Sequence, residues 1–175
     1  MKNGLLAASR VFGAISTAAL WLAGTGLVVM TIVVAYQVFM RYVINASPPW
    51  TEGASIMIMS WFIFLGAAVG VREKFHMGFD VLLYALPNSA KPWLRGISDI
   101  AIFAFAFGMV WYGLELAIRG WGVRIPVLGL PQTFTYLPIV VSGVLICLFI
   151  AERMALRLAG EPVDAETTEH AVNEA

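Results

Sequence analysis

Residues 11–40 read VFGAISTAALWLAGTGLVVMTIVVAYQVFM, a run of 30 residues without a charged side chain. An α-helix needs about 20 apolar residues to cross the roughly 30 Å hydrocarbon core of a bilayer. This run exceeds that need, and tilt or projection beyond the bilayer can absorb the excess. It is also far longer than the apolar core of a cleaved signal peptide, which is about 7–15 residues. We therefore expect a retained transmembrane helix.

Three further runs have the same character. Residues 53–71 hold 19 uncharged residues and residues 125–151 hold 27, whereas residues 96–118 contain only Asp99 and Glu115 as acids. None shows the strict alternation of a lipid-facing barrel strand. The sequence predicts an all-α integral membrane protein with a membrane domain at residues 1–160, whose four transmembrane helices lie at about residues 12–40, 53–71, 97–118 and 133–152.

The composition excludes an ordinary soluble domain. The chain has 175 residues, of which 60% are hydrophobic and 13% charged, against roughly 45–50% apolar and 25% charged residues in soluble proteins. The net charge is zero, but residues 161–175 contain five acids and no Lys or Arg. We expect this acidic segment to be a solvated, disordered cytoplasmic tail.

The distribution of Lys and Arg predicts the orientation of the chain. In a four-span arrangement, three basic residues fall on one side and eight on the other. The three are Arg41, Arg119 and Arg124, and the eight are Lys2, Arg10, Arg72, Lys74, Lys91, Arg95, Arg153 and Arg157. Because cytoplasmic loops carry the excess of basic residues, both termini are expected in the cytoplasm.

Residues 75–86 lie between the second and third spans and form an apolar stretch interrupted by His76 and Asp80. The stretch is too short to cross a bilayer. Its mixture of apolar and charged residues predicts an amphipathic helix lying in the cytoplasmic interface.

Ionisable residues inside the membrane are the first candidates for function. Asp99 lies four residues after Arg95, and Glu115 lies four residues before Arg119. Each spacing places opposite charges on one helix face, which favours structural pairs over a proton or ion relay. Arg72, His76 and Asp80 have the spacing i, i+4 and i+8, for which an interfacial polar face is the favoured interpretation on chemistry alone.

Gly66 and Gly70 form a GxxxG pattern, which predicts close packing of the second span against a helix of this chain or of a partner. Cofactor and metal sites are not expected, since Cys147 is the only cysteine and His76 is the only imidazole near the membrane. The sequence offers no catalytic motif, and neither enzymatic activity nor a nucleic-acid partner is expected. So few buried polar groups suit a scaffold or accessory subunit better than a self-sufficient transporter.

A longer pattern identifies a family. Its elements are Phe39-Met40-Arg41-Tyr42-Val43, Asn45, Trp50, Glu52, Trp61, Phe64-Leu65-Gly66-Ala67-Ala68, Arg72, His76 and Asp80, followed by Pro126-Val127-Leu128-Gly129-Leu130-Pro131 and Tyr136-Leu137. This pattern resembles the small membrane (DctQ-type) subunit of TRAP transporters, the tripartite ATP-independent periplasmic uptake systems, over roughly residues 10–155. Gly53 and Val140 depart from it, since the family often has a second acid after Glu52 and a proline four residues beyond the tyrosine.

The resemblance implies partners and a location in the bacterial inner membrane. A large multi-span subunit would carry the substrate and sodium sites and move as an elevator, with the small subunit as a fixed scaffold amid membrane lipid. A periplasmic solute-binding protein would deliver a carboxylate, such as a dicarboxylic or sugar acid, and the sodium gradient would drive uptake.

The resemblance also implies structural or partner-contact roles for particular residues. Those expected near the periplasmic face are Arg41, Tyr42, Asn45, Trp50 and Glu52, and those expected to brace the cytoplasmic end are Arg72, His76 and Asp80. Trp61, Gly66 and Gly70 of the second span complete the set of expected contacts.

Two other classes remain open from the residues alone. One is a self-contained small transporter or channel that acts as a homo-oligomer, with Asp99 or Glu115 as its working charge. The other is a membrane anchor for a redox enzyme, against which the single usable histidine counts.

Overall fold

The computed structural model describes residues 2–73 and 91–158 of the chain. This part contains four α-helices, α1 (Lys2–Tyr42), α2 (Trp50–Arg72), α3 (Lys91–Gly120) and α4 (Thr133–Leu158). Each is long and apolar enough to span a membrane, in the segments Val11–Tyr42, Trp50–Arg72, Gly96–Gly120 and Thr133–Ala155. The prediction of four apolar membrane-length helices is confirmed. The predicted interfacial helix at residues 75–86 and the acidic tail at residues 161–175 lie outside the described residues.

The helix bounds follow from local chemistry. α2 begins after Pro48 and Pro49, and the Thr51 hydroxyl donates a 2.8 Å hydrogen bond to the Pro48 carbonyl at its first turn. α3 includes Pro92 as its second residue, where the missing N–H removes no intrahelical bond. α2 ends at Arg72, and the Glu73 N–H closes the last turn on the Val69 carbonyl at 2.9 Å.

The helices lie in the spatial order α1, α2, α4, α3. α1 packs against α2, α2 against α4, and α4 against α3, whereas α2 and α3 hardly touch each other. An open apolar groove of about 670 Å³ therefore lies between α2 and α3, with α4 at its base. Its lining residues include Ala67 and Val71 of α2, Ala101 and Phe105 of α3, and Ile146 of α4.

Small residues fill the closest helix contacts. A Cβ added at Gly143 of α4 would lie 2.9 Å from Val110 Cγ2 and 3.0 Å from the Ala106 carbonyl oxygen of α3. A Cβ at Gly113 of α3 would lie 3.1 Å from Val140 of α4. In a bilayer, an apolar side chain gains little hydrophobic free energy by leaving lipid for another helix. Membrane helices therefore gain packing energy by close approach of their backbones at small residues.

Candidate functional site

The most deeply buried charges of the described residues lie where α3 begins and α4 ends. Arg153 Nη1 lies 3.3 Å from Asp99 Oδ1, and the two side chains are only 9% and 5% exposed. Taking two charges out of water is costly, and their attraction offsets that cost only when the geometry and further hydrogen bonds are good. The pair therefore fixes α3 and α4 in register at this end of the molecule.

Arg153 also caps α2. Its Nη2 donates a 2.7 Å hydrogen bond to the Val71 carbonyl. The last four carbonyls of a helix have no intrahelical partner, and a cation at this terminus also interacts favourably with the helix dipole. A single guanidinium thus connects α4 both to α2 and to α3, the two helices that hardly touch.

A second ion pair lies beside the first. Arg72 Nε of α2 is 3.8 Å from Glu152 Oε2 of α4, and the Arg72 guanidinium lies 5.2 Å from the centre of the Phe149 ring. Phe149 contacts Phe12 of α1 edge to face, with ring centroids 6.4 Å apart. We name Arg72, Asp99, Glu152 and Arg153 the charge cluster. It joins α2, α3 and α4 at one end and carries no net charge.

A further polar contact connects α4 to α2 within the apolar part of the spans. The Ser142 hydroxyl donates a 2.7 Å hydrogen bond to the Phe64 carbonyl. Ser142 is fully buried, so the hydroxyl has no access to water and gains from this carbonyl. The α2–α4 contact is therefore held by a hydrogen bond in the apolar region and by charges at one end.

The sequence-predicted residues at the opposite end have a different setting. Arg41, Tyr42, Asn45 and Glu52 are exposed, and Tyr42 is 75% exposed. Trp50 stacks on Tyr36 with ring centroids 6.3 Å apart, which joins the start of α2 to the end of α1. These residues occupy an outer surface, as partner-contact residues would.

The predicted residues of α2 divide into two groups. Trp61 packs beside the buried residues Ala19 and Leu65. Among the described residues, a Cβ added at Gly66 or Gly70 would meet nothing within 4 Å, so these glycines do not mediate close packing against α1, α3 or α4. The GxxxG pattern then predicts that Gly66 and Gly70 pack against a partner protein.

Arg72 is part of the charge cluster, but the predicted set of three residues is only partly described. Arg72 is the last residue of α2. His76 and Asp80 lie outside the described residues.

The charged pairs of α3 have different outcomes. Glu115 pairs with Arg119 at 2.5 Å as predicted, and both side chains are substantially exposed. The pair of Asp99 with Arg95 stays a prediction, because the Arg95 side chain lies outside the described residues. Asp99 also pairs with Arg153, which is 54 residues away in the sequence. The sequence signal for the contact of Asp99 with Arg153 is the four-span topology, which places the start of α3 and the end of α4 at the same membrane face.

The residues of the charge cluster are arranged to connect helices. Among residues 2–73 and 91–158, no group of three or more His, Cys, Asp or Glu side chains could hold a metal ion. The charge cluster joins opposite charges across helices. What it can do is fix the positions of α2, α3 and α4 against one another.

Comparisons with known proteins point to one family. The family model of the DctQ component of tripartite ATP-independent periplasmic transporters matches residues 30–160. A protein of Haemophilus influenzae strain Rd that carries the name TRAP transporter small permease protein is 29% identical over 131 residues, which are 73% of this chain and 80% of that protein.

Two further relatives match over shorter stretches. The C4-dicarboxylate TRAP transporter small permease protein DctQ of Vibrio cholerae is 34% identical over 77 residues, 44% of this chain and 33% of that protein. The sialic acid TRAP transporter permease protein SiaT of Haemophilus influenzae strain 86-028NP is 22% identical over 95 residues, 54% of this chain but only 15% of that permease.

Proposed function

Because the chain belongs to the DctQ family, the small permease subunits of TRAP transporters, we propose that it is a fixed membrane scaffold for a larger transport subunit. The observation that carries this proposal is the charge cluster. The ionisable groups buried in its spans pair with one another across helices, so they hold the fold together rather than line a path for a hydrophilic solute.

The partner is a large multi-span membrane subunit. In the SiaT permease, the stretch similar to this chain makes up only 15% of the length, so a related sequence occurs there within a far longer membrane protein. A lateral contact in the membrane needs an apolar surface with small residues. The α2–α3 groove and the unfilled space at Gly66 and Gly70 provide one.

The solute is a small organic acid delivered by a periplasmic binding protein and taken up with sodium. Two of the relatives are named for C4-dicarboxylate and for sialic acid, and both solutes carry carboxylates. Sodium coupling and delivery by a binding protein follow from the family resemblance. The solute is recognised by the partners, because the described part of this chain pairs its buried charges internally.

The chain is a multi-pass inner membrane protein, and its orientation is part of the proposal. The charge cluster faces the cytoplasm, whereas Arg41, Arg119 and Arg124 face the periplasm, in line with the excess of basic residues on the first side. Both termini are then cytoplasmic.

The test is purification of the tagged chain from its host in mild detergent, followed by mass spectrometry and reconstitution in liposomes. We expect one larger multi-span protein in stoichiometric amount, and organic-acid uptake that requires both proteins, the binding protein and a sodium gradient. Replacing sodium by potassium is the control for coupling. A lone homo-oligomer that transports solute by itself would contradict the scaffold and establish the self-contained transporter.

A further inference from the structure

The segment between α3 and α4 is an ordered turn rather than an open loop. Arg124 and Pro131 form an antiparallel bridge, with hydrogen bonds of 2.8 Å from the Ile125 N–H to the Leu130 carbonyl and from the Gln132 N–H to the Val123 carbonyl. We name residues 123–132 the α3–α4 turn. It lies beyond the spans, which end at Gly120 and resume at Thr133.

The tip of this turn has a strained backbone. Val127 has φ +70°, and the Leu128 N–H donates a 2.8 Å hydrogen bond to the Pro126 carbonyl, which closes a three-residue γ-turn around Val127. A γ-turn with positive φ is rare and strained. A β-branched residue with positive φ is an outlier, so the surrounding contacts must stabilise this conformation.

Those contacts are visible. The Gly129 N–H bonds to the Ile125 carbonyl at 3.0 Å, and Arg124 Nη1 donates a 2.7 Å hydrogen bond to the Gly129 carbonyl. Leu128 packs so closely on α2 that a Cβ added at Gly53 would lie 2.8 Å from its Cδ1. The turn is therefore fixed on the start of α2, while the Val127 side chain remains 65% exposed.

We propose that Val127 is an apolar docking residue for the periplasmic solute-binding protein. Strained conformations held by surrounding contacts cluster at functional sites, and a rigid, preformed contact residue lowers the entropy cost of binding a complementary pocket. Fluid lipid offers no fixed pocket, so a rigid conformation at Val127 would not strengthen a contact with lipid. The partner is thus a protein, and the position beyond the spans favours one that approaches from water.

Charges at the same end indicate the chemistry of the partner surface. Arg41 and Arg124 are exposed there, against the exposed acid Glu52, while Glu115 and Arg119 pair with each other. The excess of positive charge suits an acidic rim on the binding protein, which would speed association. This inference rests on the proposed function and on the periplasmic position of the turn.

The experiment uses the purified complex with its large subunit in detergent, and the probe is the purified solute-binding protein of the same host. V127D introduces a charge at the tip. V127N removes the apolar side chain but keeps the turn, because Asn tolerates positive φ. V43N is the matched control for V127N, since Val43 is 62% exposed after α1 at the same end of the molecule and Asn adds no charge beside Arg41.

We expect V127D and V127N to raise the Kd of the binding protein by about tenfold or more, with co-purification of the large subunit unchanged. V43N should retain the wild-type Kd. Wild-type affinity in both Val127 variants would overturn the inference. So would loss of the large subunit in these variants, which would place the turn in the interface with that subunit.

Failure of the proposed function is distinguishable from failure of this inference. If the wild-type chain recruits no large subunit and no binding protein, the scaffold proposal fails and the docking inference fails with it. If the wild-type complex binds the solute-binding protein and the Val127 variants bind it with the same affinity, the docking inference alone fails.

Discussion

The two ends of the four-helix unit both contain arginine–acid pairs, but the pairs differ in burial and in what they connect. Asp99 and Arg153 join α3 to α4, and their side chains are almost fully buried. Glu115 and Arg119 lie on one helix, and their side chains are substantially exposed. The location of a pair, rather than its residue types, therefore decides whether it holds the fold together. One end fixes the helices, and the other presents residues outward.

The largest expected effect comes from neutralising the buried acid. D99N should lower the free energy of unfolding by about 3 kcal/mol, because it leaves the buried Arg153 guanidinium without its carboxylate. The measurement is unfolding of the purified protein in mixed micelles of mild detergent and SDS.

The matched control is E115Q on the same helix. Its pair is exposed, and such pairs contribute at most about 1 kcal/mol. Equal losses in D99N and E115Q would contradict the contrast between the two ends.

Glycines distinguish the internal surface of the helices from the outward surface. G143A should destabilise the chain by about 1–3 kcal/mol, because the new Cβ meets Val110 and the Ala106 carbonyl of α3 and the helices must separate. G66A should leave the isolated chain as stable as wild type or gain up to about 1 kcal/mol from helix propensity.

The two glycine variants are also compared in the complex. If α2 packs against the large subunit, G66A should lower the amount of large subunit that co-purifies although the isolated chain is not destabilised. Unchanged co-purification would remove Gly66 from the partner interface.

The smallest effect is expected at the hydrogen bond within the apolar region. S142A should cost about 0.6 kcal/mol, the typical contribution of an interhelical hydrogen bond in a membrane protein. S60A is the control, because the Ser60 hydroxyl bonds to the Ile56 carbonyl of its own helix at 3.0 Å. An S60A loss as large as that of S142A would show that the cross-helix position of Ser142 adds nothing.

Much of the fold was predictable because the bilayer imposes a length on apolar runs. The four spans follow from the positions of charges along the chain, and the observed helices extend beyond the predicted bounds, as for α3, which starts at Lys91 rather than near residue 97. Polar residues can continue a helix outside the hydrocarbon core, so hydropathy locates a span better than the ends of its helix.

The charge cluster was only partly predictable. A spacing of four residues correctly paired Glu115 with Arg119, but it could not identify Arg153 as a partner of Asp99, because that contact depends on which helices are neighbours. The glycines show the same limit. GxxxG selected Gly66 and Gly70, whereas Gly113 and Gly143 mediate the close contacts of α3 and α4 without such a pattern.

The strained turn at Val127 could not be foreseen from sequence. Its positive φ depends on the packing of Leu128 against Gly53 and on the Arg124 hydrogen bond, whereas Val alone disfavours that conformation.

The central claim is that the buried charges of this subunit hold helices together and do not act on the solute. The most direct test is uptake by liposomes that contain the complex with the double variant D99L/R153L, normalised to the amount of assembled complex. Replacing a buried ion pair by apolar residues of similar volume is often tolerated, so we predict uptake at the wild-type rate per complex. Loss of uptake in fully assembled complexes would contradict the scaffold account and make Asp99 and Arg153 part of the transport path.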